Sequence, residues 1–125
     1  MGVGTPDYIL SAIENGIDLF DCVYPTRIAR NAMALTKQGT LSLRLEANKT
    51  DTSPIDPQCP CPTCTHYSKA YLRHLFKVRE INACVFTTYH NLFFMKTFME
   101  DIRKAISEGR FSGFKKEFLR NYNQR

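Results

Sequence analysis

The chain lacks any apolar run of the roughly 18 residues that a membrane span needs. The nearest approach, residues 83–99, is broken by Thr87, Thr88, His90, Asn91 and Lys96, so no membrane partner is expected. The opening stretch, Met1-Gly2-Val3-Gly4-Thr5-Pro6, has no basic region of the kind that begins a secretory signal. Internal repeats and strong compositional bias are also missing. At 43% hydrophobic and 23% charged residues, the composition excludes collagen-like, low-complexity and wholly disordered chains. The five cysteines are an odd number, and three fall within six residues, which argues against a disulfide framework. What remains is 125 residues, room for one domain, with a reducing, cytoplasmic setting expected.

The charge is unevenly spread. The net charge is +5, yet residues 1–64 carry 5 Lys/Arg against 7 Asp/Glu, whereas residues 65–125 carry 12 against 5. A basic half suits a polyanionic partner such as nucleic acid; the alternative is a solvated helix face.

The pattern of residues predicts the elements. Thr5 and Pro6 suit a helix start, Ile9, Leu10 and Ile13 form a short apolar stripe, and Gly16 ends the helix. Residues 17–24 then read as a buried strand interrupted by Asp18 and Asp21 and stopped by Pro25, which makes a helix–strand unit of α/β type. Residues 32–45 predict a hairpin about Lys37-Gln38-Gly39, with Leu41, Leu43 and Leu45 on one face, and the polar stretch 46–57 predicts a loop. Helices are expected over 68–76 and 82–107, with Phe94, Phe98, Ile102 and Ala105 at helical spacing. A last amphipathic helix carries Phe111, Phe114, Phe118 and Tyr122.

Four features could carry chemistry. Cys59, Cys61 and Cys64 form C-x-C-x-x-C in a loop pre-bent by Pro60 and Pro62, a soft-ligand set suited to structural Zn²⁺. A fourth ligand is needed, and His66, His74, His90 and Cys84 are the candidates. His66 is too near Cys64 to turn its ring easily onto the same ion, whereas His90 could close the site from the long helix. Asp21 is a carboxylate in apolar surroundings at a strand's C-terminal end, where it could serve as nucleophile, base or ligand. Arg27 and Arg30, three apart in a loop after the strand, could grip RNA through their planar forks. Gly2-Val3-Gly4-Thr5-Pro6 is a backbone-exposing turn at a helix start, which can bind anions.

Together, Met1–Pro6, Gly16–Arg27 with Ala29-Arg30-Asn31, the three-cysteine motif, His90-Asn91 and Ile106–Phe111 resemble the C-terminal part of the bacterial tRNA-guanine transglycosylases, the queuine tRNA-ribosyltransferase family. The resemblance spans essentially the whole chain. It implies an α/β fold: the last helix–strand unit and a hairpin of an irregular (β/α)8 TIM barrel, with a helical zinc-binding subdomain. It implies segments 1–31 (nucleophile and anticodon-recognition loop), 32–57 (hairpin and loop) and 58–125 (zinc subdomain and C-terminal helices). The implied reaction exchanges guanine at the wobble position of tRNAs with a G-U-N anticodon for preQ1, a 7-deazaguanine precursor of queuosine.

By the same resemblance Asp21 matches the nucleophile that forms a covalent RNA intermediate. Gly2, Val3, Gly4, Thr5, Pro6, Asp7 and Tyr8, and Thr26, Arg27, Ile28, Ala29 and Arg30, match RNA-contacting stretches, and Met1 a residue packed on the bound base. Cys59, Cys61, Cys64 and His90 match the ligands of a structural Zn²⁺, and a homodimer is implied for the full-length protein. Roughly the first two-thirds of a family member, with most barrel strands and a second catalytic aspartate, has no counterpart here. Met1 is therefore expected to be an internal methionine or an artificial start, and the chain alone to be inactive. The competing expectation is a non-catalytic, zinc-stapled RNA-binding module or remnant.

Overall fold

The computed structural model describes residues 2–122, so Met1, matched above to the base-packing position, lies outside the described residues. Helix α1 runs Pro6–Glu14. Pro6 suits the first turn because its missing N–H is one that a helix start leaves free. Thr5 takes the N-cap position, but its side chain makes no capping bond, so the expected cap is positional only. Gly16, at φ +87°, supplies the left-handed residue that ends the helix.

The expected strand over 17–24 does not form. Residues 17–23 join no ladder, and the carboxylate expected in apolar surroundings, that of Asp21, is exposed. A strand is stabilised by a neighbour's N–H and C=O groups, and among the described residues none lies alongside except at one point: the Gly2 N–H donates to the Asp21 carbonyl at 2.7 Å. The loop expected to carry Thr26, Arg27 and Arg30 is instead helix α2, Tyr24–Arg30. Pro25 does not merely stop the preceding segment; it sits in the first turn of α2, where proline is favoured.

The hairpin is present but shorter than expected. Strand β1, Met33–Thr36, pairs antiparallel with β2, Gly39–Ser42, in the register Met33↔Ser42 to Thr36↔Gly39. The chain turns at Leu43, so Leu43 is buried while Leu45, assigned to the same face, points to solvent. Within the expected loop, Glu46–Thr50 forms a 3₁₀ turn. A short helix α3, Pro62–His66, follows Cys61, and α4, Lys69–Lys77, is capped by the Ser68 hydroxyl accepting from the Tyr71 N–H.

Helix α5, Ile81–Ser107, is the spine. Its buried residues, Ala83, Thr87, His90, Asn91, Phe94, Phe98, Ile102 and Ala105, recur every three or four positions and make one continuous stripe. The first half of that stripe meets α4, the cysteine loop and the hairpin, around Leu43, Ile55, Leu72, Leu75 and Phe76. The second half meets α1 and α6, Phe111–Tyr122, around Ile9, Leu10, Leu35 and the rings of Phe94, Phe98, Phe114 and Phe118. An ion pair between Lys115 and Glu14, at 2.5 Å, closes α6 onto α1. The fold is thus mainly helical around one antiparallel hairpin, and no barrel strand is formed among the described residues. Among the described residues no helix is long and apolar enough to cross a membrane.

Candidate metal centre and the adjoining groove

The C-x-C-x-x-C loop places its sulfurs through a tight local turn. Cys61 is the N-cap of α3, and its sulfur accepts from the Cys64 N–H at 3.4 Å. The Thr63 hydroxyl donates to the Phe86 carbonyl at 2.7 Å and pins α3 to α5. His90 then reaches the cluster from α5. Its Nδ1 lies 3.8 Å from Cys59 Sγ, 3.6 Å from Cys61 Sγ and 3.3 Å from Cys64 Sγ.

All four ligand atoms lie within 4.8 Å of one another. A tetrahedral zinc with metal–sulfur bonds of about 2.3 Å holds its sulfurs about 3.8 Å apart, so the set has the right size and softness for that ion. His66, His74 and Cys84, the other candidates, are not in the cluster. The His66 ring lies instead 2.9 Å from the Pro62 carbonyl on the exposed side of α3.

The electrostatics also suit a cation. Burial works against a charged His90 ring, but the three sulfurs facing Nδ1 outweigh it and push its pKa up to about 12. Burial raises the Cys61 thiol as well, yet His90 and the Cys64 N–H bring it down to about 6. Cys64 moves the other way, raised by burial and by the charge of Cys61 beside it. The outer ring nitrogen, Nε2, is fixed by the Leu35 carbonyl at 2.8 Å, the kind of second contact that orients a metal-binding histidine.

A separate groove is built from the N-terminal segments. Gly2, Val3, Gly4, Thr5, Tyr8, Cys22, Val23, Tyr24 and Arg27 line an open hollow of about 480 Å³. Residues 2–4 lie so close to Cys22 that a Cβ on Gly4 would meet Cys22 Cβ at 2.4 Å and Sγ at 2.3 Å. Only glycine permits that approach. The Cys22 sulfur also accepts from the Tyr24 N–H at 3.2 Å, which leads the chain into α2. The N-terminal turn, the segment carrying Asp21 and the start of α2 are therefore one assembly. Pro6 and Ala29 are buried, Asp7, Thr26 and Ile28 half-buried, and Arg27 and Arg30 exposed.

Arg30 lines a second hollow with Thr26, Cys84, Val85, Thr88, Tyr89 and Leu92. Arg44 and, from the basic half of the sequence, Arg73, Lys77 and Arg79 line a third hollow with Phe76, and Arg73 is paired to Glu46. Asn91 was not assigned a role from the sequence. It is fully buried and bonded to three backbone groups. The signal was available: His90-Asn91 is a polar pair on a mostly apolar helical stripe.

Comparison with known proteins decides the family. The model for queuine tRNA-ribosyltransferase matches residues 1–124. The chain belongs to the queuine tRNA-ribosyltransferase family. Members similar to it include the queuine tRNA-ribosyltransferase of Treponema denticola, 48% identical over the whole chain, which covers 33% of that relative. That of Leptospira biflexa is 55% identical over 91% of the chain and 31% of the relative. That of Caldanaerobacter subterraneus subsp. tengcongensis is 52% identical over 98% of the chain and 32% of the relative. The chain spans about a third of the length of these family members.

Proposed function

We propose that the chain contributes the nucleophile and an RNA-gripping face to a tRNA-guanine transglycosylase, a pentosyltransferase that exchanges wobble guanine for preQ1 in G-U-N anticodons. The observation that carries this reading is the shared groove, in a chain of this family. Residues of the Gly2–Tyr8 stretch, Cys22–Tyr24 and Arg27 line it, and Asp21 is tied to its edge by the Gly2–Asp21 backbone bond beside the Gly4–Cys22 contact.

In the proposed reaction an Asp21 carboxylate oxygen bonds to ribose C1′ as the C1′–N9 bond breaks, and the leaving guanine takes a proton from water. N9 of preQ1 then gives its proton to the hydroxide so formed and bonds to C1′, which frees the Asp21 carboxylate. The transition states are oxocarbenium-like, so a carboxylate facing C1′ stabilises them and then traps the sugar, as in retaining glycoside hydrolysis. Arg27 and Arg30, with Thr26, Ile28 and Ala29 of α2 and Gly2–Tyr8, are assigned to the anticodon loop, and Met1 to the bound base. Guanidinium forks suit phosphates and base edges alike.

Cys59, Cys61, Cys64 and His90 would hold Zn²⁺, whose part is structural: it cross-links the loop to α5. The segments 1–31, 32–57 and 58–125 are proposed as the last barrel unit, the connecting hairpin and the zinc subdomain of a (β/α)8 enzyme. A cytoplasmic location and a homodimer of the full-length protein complete the proposal.

A second reading, a zinc-stapled RNA-binding module without catalysis, is favoured by one observation. Asp21 is exposed, and its segment has no strand partner among the described residues. The two readings separate on a denaturing gel. The chain is placed in the Treponema denticola relative in exchange for the matching third, then incubated with a G-U-N anticodon stem-loop. The catalytic reading predicts a covalent RNA–protein band, lost in Asp21→Asn. Salt-sensitive binding with no such band would support the second reading.

A further inference from the structure

Among the described residues strand β1 has one partner strand, so its other edge carries N–H and C=O groups that would be costly to bury unpaired. Two adjacent side chains of α5 take up three of them. His90 Nε2 lies 2.8 Å from the Leu35 carbonyl, and Asn91 Oδ1 accepts from the Leu35 N–H at 2.8 Å. Asn91 Nδ2 donates to the Met33 carbonyl at 3.0 Å. The same Nδ2 donates a second bond, also 3.0 Å, to the Pro25 carbonyl in the first turn of α2. Both Nδ2 hydrogens and the Oδ1 oxygen are thereby engaged at 0% exposure. A lost partner here leaves a buried polar group unsatisfied.

The two side chains make a chain of contacts. His90 Nδ1 faces the cysteine sulfurs, so the ring angle that serves the metal also fixes the bond to Leu35. Leu35 and Met33 are held by Asn91, and Asn91 holds the start of the helix that carries Thr26, Arg27 and Arg30. We propose that Asn91 is a positioning residue, which together with His90 ties metal occupancy of the Cys59–Cys61–Cys64–His90 site to the placement of α2. The consequence for RNA rests on the functional reading above. The mechanical coupling does not.

The test has two arms on the full chain. In the first, backbone hydrogen exchange is followed with zinc bound and after chelation. The coupling predicts that chelation speeds exchange at Leu35 and in Ala29–Asn31 by tenfold or more beyond any change at Ile102–Ala105, at the far end of α5. Equal acceleration at both places, or none at Leu35, overturns it.

The second arm compares Asn91→Asp, which keeps the acceptor but loses both donated bonds, with Asn91→Leu, which loses all three. Zinc content should stay at the wild-type value. Affinity for a G-U-N stem-loop should fall about tenfold. In an Arg27→Ala background the same change should cost less than twofold, because the contact it positions is already gone. Wild-type affinity in Asn91→Asp with zinc retained, or equal losses in both backgrounds, would overturn the proposal. If the wild-type chain binds no stem-loop while the zinc-dependent exchange is present, the RNA reading fails and the coupling stands. If the Asn91 variants do not fold, the chelation arm decides.

Discussion

The surroundings of His90 and of Asp21 are built on opposite plans. Around His90 each ligand atom has neighbours within the chain, both ring nitrogens are engaged, and Asn91 completes the polar network at 0% exposure. Around Asp21 the chain runs from Ile17 to Val23 without a ladder, and Leu19 is 88% exposed. The difference teaches where each region draws its stability. The metal side is assembled from a six-residue loop and one long helix, which lie within this chain. The Asp21 side is strand-like sequence whose apolar faces need neighbouring strands, and the relatives are about three times longer than the chain.

The largest effect should come from breaking the metal side. Cys61→Ser removes a fully buried ligand, so the cross-link from the cysteine loop to α5 is lost and the folded chain melts at a lower temperature. Zinc content by atomic absorption and thermal melting should fall together, and chelation of the wild type should reproduce the loss. A variant that lost zinc but kept its melting point would show the site to be dispensable.

A smaller effect is expected at the contact that joins the groove. Gly4→Ala must push residues 2–4 off Cys22 and should cost about 1–3 kcal/mol in a denaturant titration, the usual scale of overpacking. Cys22→Gly should restore most of it, since it removes both atoms the new methyl meets. Additive losses in the double variant would mean that the two segments do not depend on that contact.

The smallest effect is acid sensitivity on the metal side but away from the metal. The hydrogen bond from Lys69, with further bonds from Ser53, holds Asp51 down to about 2 from an ordinary 3.8. A carboxylate depressed on folding contributes stability above its unfolded pKa and loses it as pH falls through the folded value. Asp51→Asn should therefore flatten the pH dependence of melting between about pH 4 and 2, and leave it unchanged near neutrality. An unaltered acid limb would contradict the assignment.

The same contrast explains how much could be read from the sequence. The C-x-C-x-x-C spacing needs only local geometry, so the three sulfurs were legible from the residues. Spacing alone left four candidates for the fourth ligand, and the resemblance singled out His90. The α5 stripe was equally legible, because Phe94, Phe98, Ile102 and Ala105 follow the helical period. Residues 17–24 read as a strand because Ile, Leu, Phe and Val favour one, but a strand is a property of its partners, and among the described residues the segment has no strand partner, only the Gly2–Asp21 bond across to the N-terminal turn. Pro25 misled in a simpler way: proline both ends strands and begins helices, and α2 shows the second use. Asn91 figured only as part of the resemblance, and its role was not legible because its three partners, Pro25, Met33 and Leu35, are far from it in the chain.

The central claim is that the metal side is a scaffold and Asp21 the reacting group. Base exchange tests it most directly, using labelled guanine, a tRNA with a G-U-N anticodon, and the Treponema denticola relative carrying this chain in place of its matching third. The account predicts incorporation of label by the chimera, and none after Asp21→Asn, with zinc content and melting temperature unchanged by that substitution. Exchange that survives Asp21→Asn, with protein integrity intact, would contradict it.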